Sequence, residues 1–500
     1  MQNLLSTGVF SVEGGNISGC MTSDKAVNIF KGIPYAAPPV GNLRWKAPQD
    51  VIQWDGVRDC TSWAKSAIQA KQEAFLMWSS EFIIDTTKGY SEDCLYLNIW
   101  SPNDNADNKP VIVYFHGGNF ISGGSSCEVY DGENLARSGV IFVSVNFREG
   151  ILGLLASSAL SSENDKHVSG NYQLLDQIKA LKWVRANIKA FGGNPDNITI
   201  AGQSSGAAAV NTLAVSPLAK GLFKRVFAMS HTTFHLPASN VPSKTGKGFD
   251  KVFIYEPLKH CEALGDELLG SLDAEQMRSI PADDLLKLPK QYLPYCLDSY
   301  VLDKTFHDGV IQGLTNDYDY IASFVANDYL LFPFIEAENE QDYINSARKF
   351  FGDELFSQAM AIYPPDKFPG SLAVMQQDFL SAENVLFANA RSKTGNNNTW
   401  LLRFEHVMPG PESNIWGSFH SSELAYLFKH YSDLRKDYWT EADFVTGDKF
   451  FERAVNFAKT GNPGSDWERN KMYRFDADIF EPYKDFTPEK LTLWSRKYHE

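Results

Sequence analysis

A serine hydroxyl is a weak nucleophile until a neighbouring base takes its proton, and one segment of this chain has the residues to arrange that chemistry. The apolar run 198–201 (ITIA) has strand character, and it leads into Gly202-Gln203-Ser204-Ser205-Gly206 and then the alanine-rich stretch 207–210, suited to a helix. G-x-S-x-G recurs by chance when it stands alone. Between a strand and a helix it predicts a turn so sharp that the serine is held strained at its apex. Glycines occupy the two positions where side chains would clash, and the start of the helix favours developing negative charge. Ser204 is the candidate nucleophile, and it requires a histidine base, an acid to orient that base, and N–H donors for an oxyanion.

The donors follow another apolar run, 111–115 (VIVYF), in His116-Gly117-Gly118-Asn119-Phe120. Two glycines leave backbone N–H groups uncovered, so Gly117 and Gly118, with the N–H of Ser205 after the nucleophile, form the expected oxyanion hole. The order serine, acid, histidine puts the base well after Ser204. His420, in a loop behind the late strand-like run 400–404, fits, whereas His406 lies nearer that strand and suits a surface role. These groups suffice for acyl transfer without a metal or organic cofactor. The chain has no P-loop, no dinucleotide fingerprint and no H-E-x-x-H.

The elements that must position these residues alternate between strand and helix. Runs at 111–115, 140–146, 198–201 and 226–230 read as strands, and 171–190 carries a helical apolar stripe at 174, 175, 178, 181, 184 and 188, stopped by Gly192-Gly193-Asn194-Pro195. Strand and helix in alternation predict a mostly parallel twisted sheet with helices on both faces. The whole chain, 1–500, reads as one such domain with a helical, aromatic insertion from about 250 to 390 forming a lid or gorge. Phe75, Trp78, Phe82 and Phe334 are its candidate lining. Loops are expected at 101–109, 237–248, 394–398 and 409–418.

Composition narrows the partners. The chain is 43% hydrophobic, has a mean hydropathy of -0.28, and carries 46 Lys and Arg against 61 Asp and Glu, a formal charge of -15. That balance disfavours nucleic acid and anionic membrane, leaving a small-molecule substrate. No apolar run approaches a membrane span, and residues 1–15 lack the pattern of a secretory signal. A cytoplasmic location with reduced thiols is therefore expected for the six cysteines, none of which forms C-x-x-C. The N-x-S/T triplets at Asn16, Asn197 and Asn397 are then chance.

The ordered motifs resemble the type-B carboxylesterases, the cholinesterase and carboxylesterase-like family of α/β-hydrolases, over nearly the full length. They include Phe30-Lys31-Gly32-Ile33-Pro34-Tyr35, Leu43-Arg44-Trp45, Ser91-Glu92-Asp93-Cys94-Leu95-Tyr96-Leu97-Asn98 and Val145-Asn146-Phe147-Arg148. Phe191-Gly192-Gly193-Asn194-Pro195, the elbow, His420-Ser421-Ser422-Glu423-Leu424 and Asn456-Phe457-Ala458-Lys459-Thr460-Gly461-Asn462-Pro463 complete the series. The resemblance implies a serine carboxylic-ester hydrolase acting through an acyl-enzyme, His420 as base, an Arg44–Glu92 ion pair, and a monomer or homodimer.

The sequence departs from that family in three places. Gln203 and Ser205 flank the nucleophile where the family usually has Glu and Ala; a backbone N–H serves at 205 whatever the side chain. The family's partner for Cys94 falls at Ala67, which fits a reduced protein, although Cys60 lies close enough for a shifted bridge. Tyr318 stands where the acid is expected, in Gly313-Leu314-Thr315-Asn316-Asp317-Tyr318-Asp319, and a phenol is not anionic near neutral pH. Asp319 is the favoured acid, Asp317 the next candidate, and a second alignment offers Asp328. Should none serve, the protein would be a catalytically impaired binding relative. Amides or carbamates are a further substrate class for the same serine.

Overall fold

Strands covered on both faces read as unbroken apolar runs, and the middle of this chain is built from them. The computed structural model describes residues 5–104, 106–230, 234, 254–270, 272–289, 293–331, 333–396 and 398–498; the loop expected at 237–248 lies outside them. Twelve strands form one sheet: β1 (Leu5–Ser6), β2 (Cys20–Met21), β3 (Val27–Pro34), β4 (Tyr96–Pro102), β5 (Lys109–Phe115), β6 (Ile141–Val145), β7 (Gly193–Gln203), β8 (Arg225–Met229), β9 (Asp319–Val325), β10 (Thr399–Phe404), β11 (Met472–Asp476) and β12 (Ile479–Pro482). Their order is β1-β2-β3-β4-β6-β5-β7-β8-β9-β10-β11-β12. From β6 to β11 all pairings are parallel, and antiparallel strands flank that block on both sides. This is the α/β-hydrolase fold.

The main helices are α1 (Tyr172–Asn187), α2 (Ser205–Leu213), α3 (Leu258–Leu269), α4 (Glu340–Ile362), α5 (Gly370–Lys393), α6 (Glu441–Thr460) and α7 (Pro488–Tyr498). The stripe expected from 171 to 190 is α1, continued by a 3-10 turn. The glycine-rich stop behind it does double duty. Gly192 (φ +81°) ends the helical path, and Gly193 already pairs with Lys109, so β7 begins five residues before the apolar run that announced it. Two large apolar clusters fill the space on either side of the sheet.

The segment 250–390 is not purely helical. β9 lies inside it and occupies a central place in the sheet, between β8 and β10. This changes the reading of the residues around 319, because Asp319 opens a strand instead of following one. Phe334 packs with Phe350, Phe379 and Trp494 in a separate core of α4, α5 and α7, so it is core and not gorge lining.

Candidate active site

Parallel strands of an open sheet deliver their loops to one edge, the carboxyl ends, and ligands bind there. β7 ends at Gln203 and α2 begins at Ser205, so Ser204 alone makes the turn, with φ +58° and ψ -128°. That conformation costs a non-glycine residue of order 1–3 kcal/mol. The surroundings enforce it. A Cβ at Gly202 would stand 2.3 Å from the Gly206 carbonyl oxygen, and one at Gly206 would stand 2.1 Å from the Phe115 carbonyl oxygen. Only glycine lets the strand, the turn and β5 close up this tightly. The Ser204 N–H donates to the Met229 carbonyl at 2.9 Å, tying the elbow to β8.

β5 ends beside the elbow. A Cβ at Gly117 would lie 2.8 Å from the Gln203 carbonyl oxygen and 3.0 Å from Ser204 Cβ, which puts the glycine segment directly against the nucleophile. Among the described residues, the N–H groups of Gly117, Gly118 and Ser205 have no protein acceptor.

β9 and β10 supply the remaining groups. Just past β9, Asp328 Oδ1 lies 2.5 Å from His420 Nδ1, and the two residues are 5% and 4% exposed. The other oxygen, Oδ2, accepts the Val325 N–H at 3.2 Å. The loops that carry the pair are interlocked. Asn327 N–H donates to the Ser418 carbonyl (3.0 Å), Ser418 N–H donates to Asn327 Oδ1 (3.0 Å), and Ser418 Oγ donates to the Phe404 carbonyl (3.0 Å). Gly417 has φ +59°, and a Cβ there would meet Asn327 Oδ1 at 2.4 Å.

A carboxylate accepts, so His420 carries its proton on Nδ1 and presents a lone pair at Nε2. The Gln203 side-chain amide lies 3.2 Å from that Nε2, and Gln203 Oε1 accepts the Ser421 hydroxyl at 3.1 Å. Trp78 Nε1 donates to the His420 carbonyl at 3.1 Å. Glu423 is buried close by, accepting from Ser230 Oγ at 3.3 Å. Burial first, and the charge of Asp328 second, push its carboxyl up to about 8.

Asp319, the acid favoured from sequence, is not near His420. It stands at the first residue of β9, and Val325 closes that strand. Six residue steps at the rise of an extended strand put about 20 Å between Asp319 and the edge where His420 sits. Asp319 instead pairs with Arg225 Nε (3.4 Å) and accepts from Asn398 Nδ2 (2.9 Å). Asp317 is exposed at the same far edge, and Tyr318 stacks on Phe223 with centroids 4.7 Å apart. Of the three acids considered, only Asp328 reaches the histidine. The interlock of Asn327 with Ser418 and the Gln203–His420 contact had no signal in the sequence. His406, expected at the surface, is buried between Asp443 and Asp476.

Trp78, edge-on to His420 with centroids 6.3 Å apart, also lines a cavity of about 390 Å³ together with Phe75, Met408, Glu412, Trp416 and Phe419 among others; neither Ser204 nor His420 lines it. Phe82 packs behind it on Phe419, with centroids 6.0 Å apart. The Arg44–Glu92 pair that the resemblance implied is present, with Nε to Oε2 at 2.7 Å and Nη2 to Oε1 at 2.5 Å.

The sheet order, the strained elbow and a histidine–carboxylate pair on the loops after β10 and β9 define an α/β-hydrolase of the serine-hydrolase type. Comparison with known proteins names the family: residues 6–496 match the model of the carboxylesterase family, and the chain belongs to it. It is 30% identical over 477 residues to a para-nitrobenzyl esterase of Bacillus subtilis strain 168, covering 92% of this chain and 91% of that one. A cholinesterase of Mus musculus is 28% identical over 501 residues, with 94% and 81% covered. The solved carboxylesterase of Geobacillus stearothermophilus superposes with a TM-score of 0.78 at 26% identity, covering 98% of this chain and all of that one. The protein is a carboxylesterase acting on small-molecule esters.

Proposed function

We propose that Ser204, His420 and Asp328 carry out the hydrolysis as one unit. His420 Nε2 takes the proton of the Ser204 hydroxyl as its oxygen attacks the ester carbonyl. The N–H groups of Gly117, Gly118 and Ser205 hold the oxyanion of the tetrahedral intermediate. His420, now an imidazolium stabilised by Asp328, gives its proton to the leaving alcohol, and the acyl group stays on Ser204. Water enters, passes a proton to His420, and frees the acid by the same steps in reverse. The observation that carries this reading is the 2.5 Å contact of Asp328 with His420, a pair held at the same sheet edge as the elbow.

All six cysteines are buried free thiols, which supports a cytoplasmic protein. The test is hydrolysis of p-nitrophenyl acetate and butyrate by the wild type and by Ser204→Ala. The wild type is expected to turn over both esters, and Ser204→Ala to lose at least about 10³-fold in kcat. An active Ser204→Ala protein would defeat the assignment.

A further inference from the structure

A chain of buried polar groups that the reaction does not use lies behind the glycine segment. His116 and Glu149 are each 3% exposed, Gln173 is 2% and Tyr295 is 1%. The Tyr295 hydroxyl donates to Gln173 Oε1 at 2.9 Å. Gln173 Nε2 donates to Glu149 Oε2 at 2.8 Å and reaches the Arg148 carbonyl at 3.3 Å. Glu149 Oε1 stands 3.8 Å from His116 Nδ1, and that nitrogen lies 2.9 Å from the Gly117 carbonyl oxygen. A carbonyl can only accept, so the proton is on Nδ1. Phe147 stacks on the imidazole with centroids 4.4 Å apart and planes 8° from parallel, which fixes the ring's plane.

Burial lowers His116 to about 4 and holds the Glu149 carboxyl well above its usual range. Both shifts favour the uncharged forms, imidazole and carboxylic acid. This matters for the Nδ1 proton. A carboxylate at the same place would draw the Nδ1–H away from the Gly117 carbonyl.

That carbonyl is half of a planar trans peptide whose other half is the Gly118 N–H, and the two point in opposite directions. Holding the carbonyl on the buried side turns the N–H the other way. The neighbouring groups leave little freedom. A Cβ at Gly123 would stand 2.3 Å from the Gly117 oxygen and 2.6 Å from His116 Nδ1. The next carbonyl, of Gly118, accepts both the N–H (3.1 Å) and the hydroxyl (2.9 Å) of Ser122. Tyr295 also touches the segment directly, edge-on to Phe120 with centroids 5.6 Å apart.

We propose that Glu149 is a positioning residue for the oxyanion hole: anchored by Gln173 and, through it, Tyr295, its carboxyl packs against the Nδ1 edge of the His116 ring and keeps that ring seated on the Gly117 carbonyl, so that the Gly117–Gly118 peptide keeps its N–H toward the substrate. The proposal rests on the reading of Ser204 as nucleophile. It predicts an effect on the transition state and not on substrate binding. In p-nitrophenyl butyrate hydrolysis, Glu149→Leu is expected to lower kcat about tenfold or more, a fraction of what losing a whole oxyanion donor costs, with KM within about twofold. Affinity for an alkyl trifluoromethyl ketone, which forms an oxyanion on the serine, should fall by the same factor as kcat/KM. Glu149→Gln, neutral and of the same shape, should recover most of the loss.

Tyr295→Phe removes one oxygen from the far end of the chain. It should lower kcat by a smaller factor and cost nothing further when added to Glu149→Leu, because the two act through one path. Should thermal melts show that Glu149→Leu does not fold, Tyr295→Phe alone carries the test: a lower kcat at unchanged KM supports the proposal, and wild-type kcat overturns it. Wild-type kcat in a folded Glu149→Leu, a Glu149→Gln as slow as the leucine variant, or additive losses would each overturn it. A wild type without activity would sink the esterase reading itself, whereas an active wild type matched by Glu149→Leu sinks this proposal alone.

Discussion

Gln203 puts an uncharged amide against the histidine at the position where the resembling family usually has Glu. In the proposed mechanism the amide N–H and the Ser204 hydroxyl share one lone pair on His420 Nε2, so the contact at 3.2 Å has to loosen as the serine gives up its proton. Exchanging the amide for a carboxylate would place a negative charge beside the imidazole and favour its protonated form. Gln203→Glu is therefore expected to move the acid limb of the kcat/KM profile up by about one pH unit. Measuring that profile between about pH 5 and 9 checks it; an unmoved limb would mean the side chain at 203 does not sense the base. At this scale the elbow at Ser204 and its glycines were legible in the sequence, because strain at an elbow demands particular residue types. The carboxylate that pairs with His420 was not, because a carboxylate's partners depend on which end of a strand it occupies.

Among the elements, β9 explains that failure. Its run of 319–325 (DYIASFV) is short and sits among helices, so its central place in the sheet was missed, and with it the fact that Asp328 lies past its carboxyl end while Asp319 lies at its start. The elements are also joined by polar ties that no periodicity announces. His406, at the end of β10, bridges Asp443 on α6 (Nε2 to Oδ1, 3.0 Å) and Asp476 at the end of β11 (Nδ1 to Oδ1, 2.6 Å). Burial alone would lower this histidine, but the two carboxylates outweigh it and raise it to about 9. Its folded state binds the proton more tightly than the unfolded chain does, where an imidazole has its ordinary value of about 6.5. The tie's stabilisation is thus full below about pH 6.5 and is lost as the pH climbs through about 9. A shift of this size corresponds to about 3 kcal/mol. The gap in urea midpoint between the wild type and His406→Gln should be widest near about pH 6 and should shrink toward about pH 10; a constant gap would contradict the charged bridge.

For the whole molecule, the sequence motifs that seemed remote from the chemistry turn out to brace the sheet edge that carries it. Arg148, three residues past β6, lies bidentate on Asp176 of α1 (2.8 and 2.7 Å), with both side chains buried. Removing one partner leaves the other charge uncompensated, so Asp176→Asn should cost about 3–5 kcal/mol in denaturant unfolding; a loss under about 1 kcal/mol would show the pair to be dispensable. The alternation of strand and helix revealed the parallel block from β5 to β8, since each of those strands carries a buried run dominated by apolar residues. The antiparallel flanks β1 to β4 and the late pair β11 and β12 were not visible, being short or carrying mixed residues. The impaired-relative alternative drew its weight from a missing acid, and the 2.5 Å contact of Asp328 with His420 gives the histidine a carboxylate partner. The most direct test of the account compares kcat/KM for p-nitrophenyl butyrate in Asp328→Asn and Asp319→Asn beside the wild type. Asp328→Asn is expected to lose about 10³- to 10⁴-fold, while Asp319→Asn, about 20 Å away along β9, stays within a few-fold. A crippled Asp319→Asn with an active Asp328→Asn would contradict it.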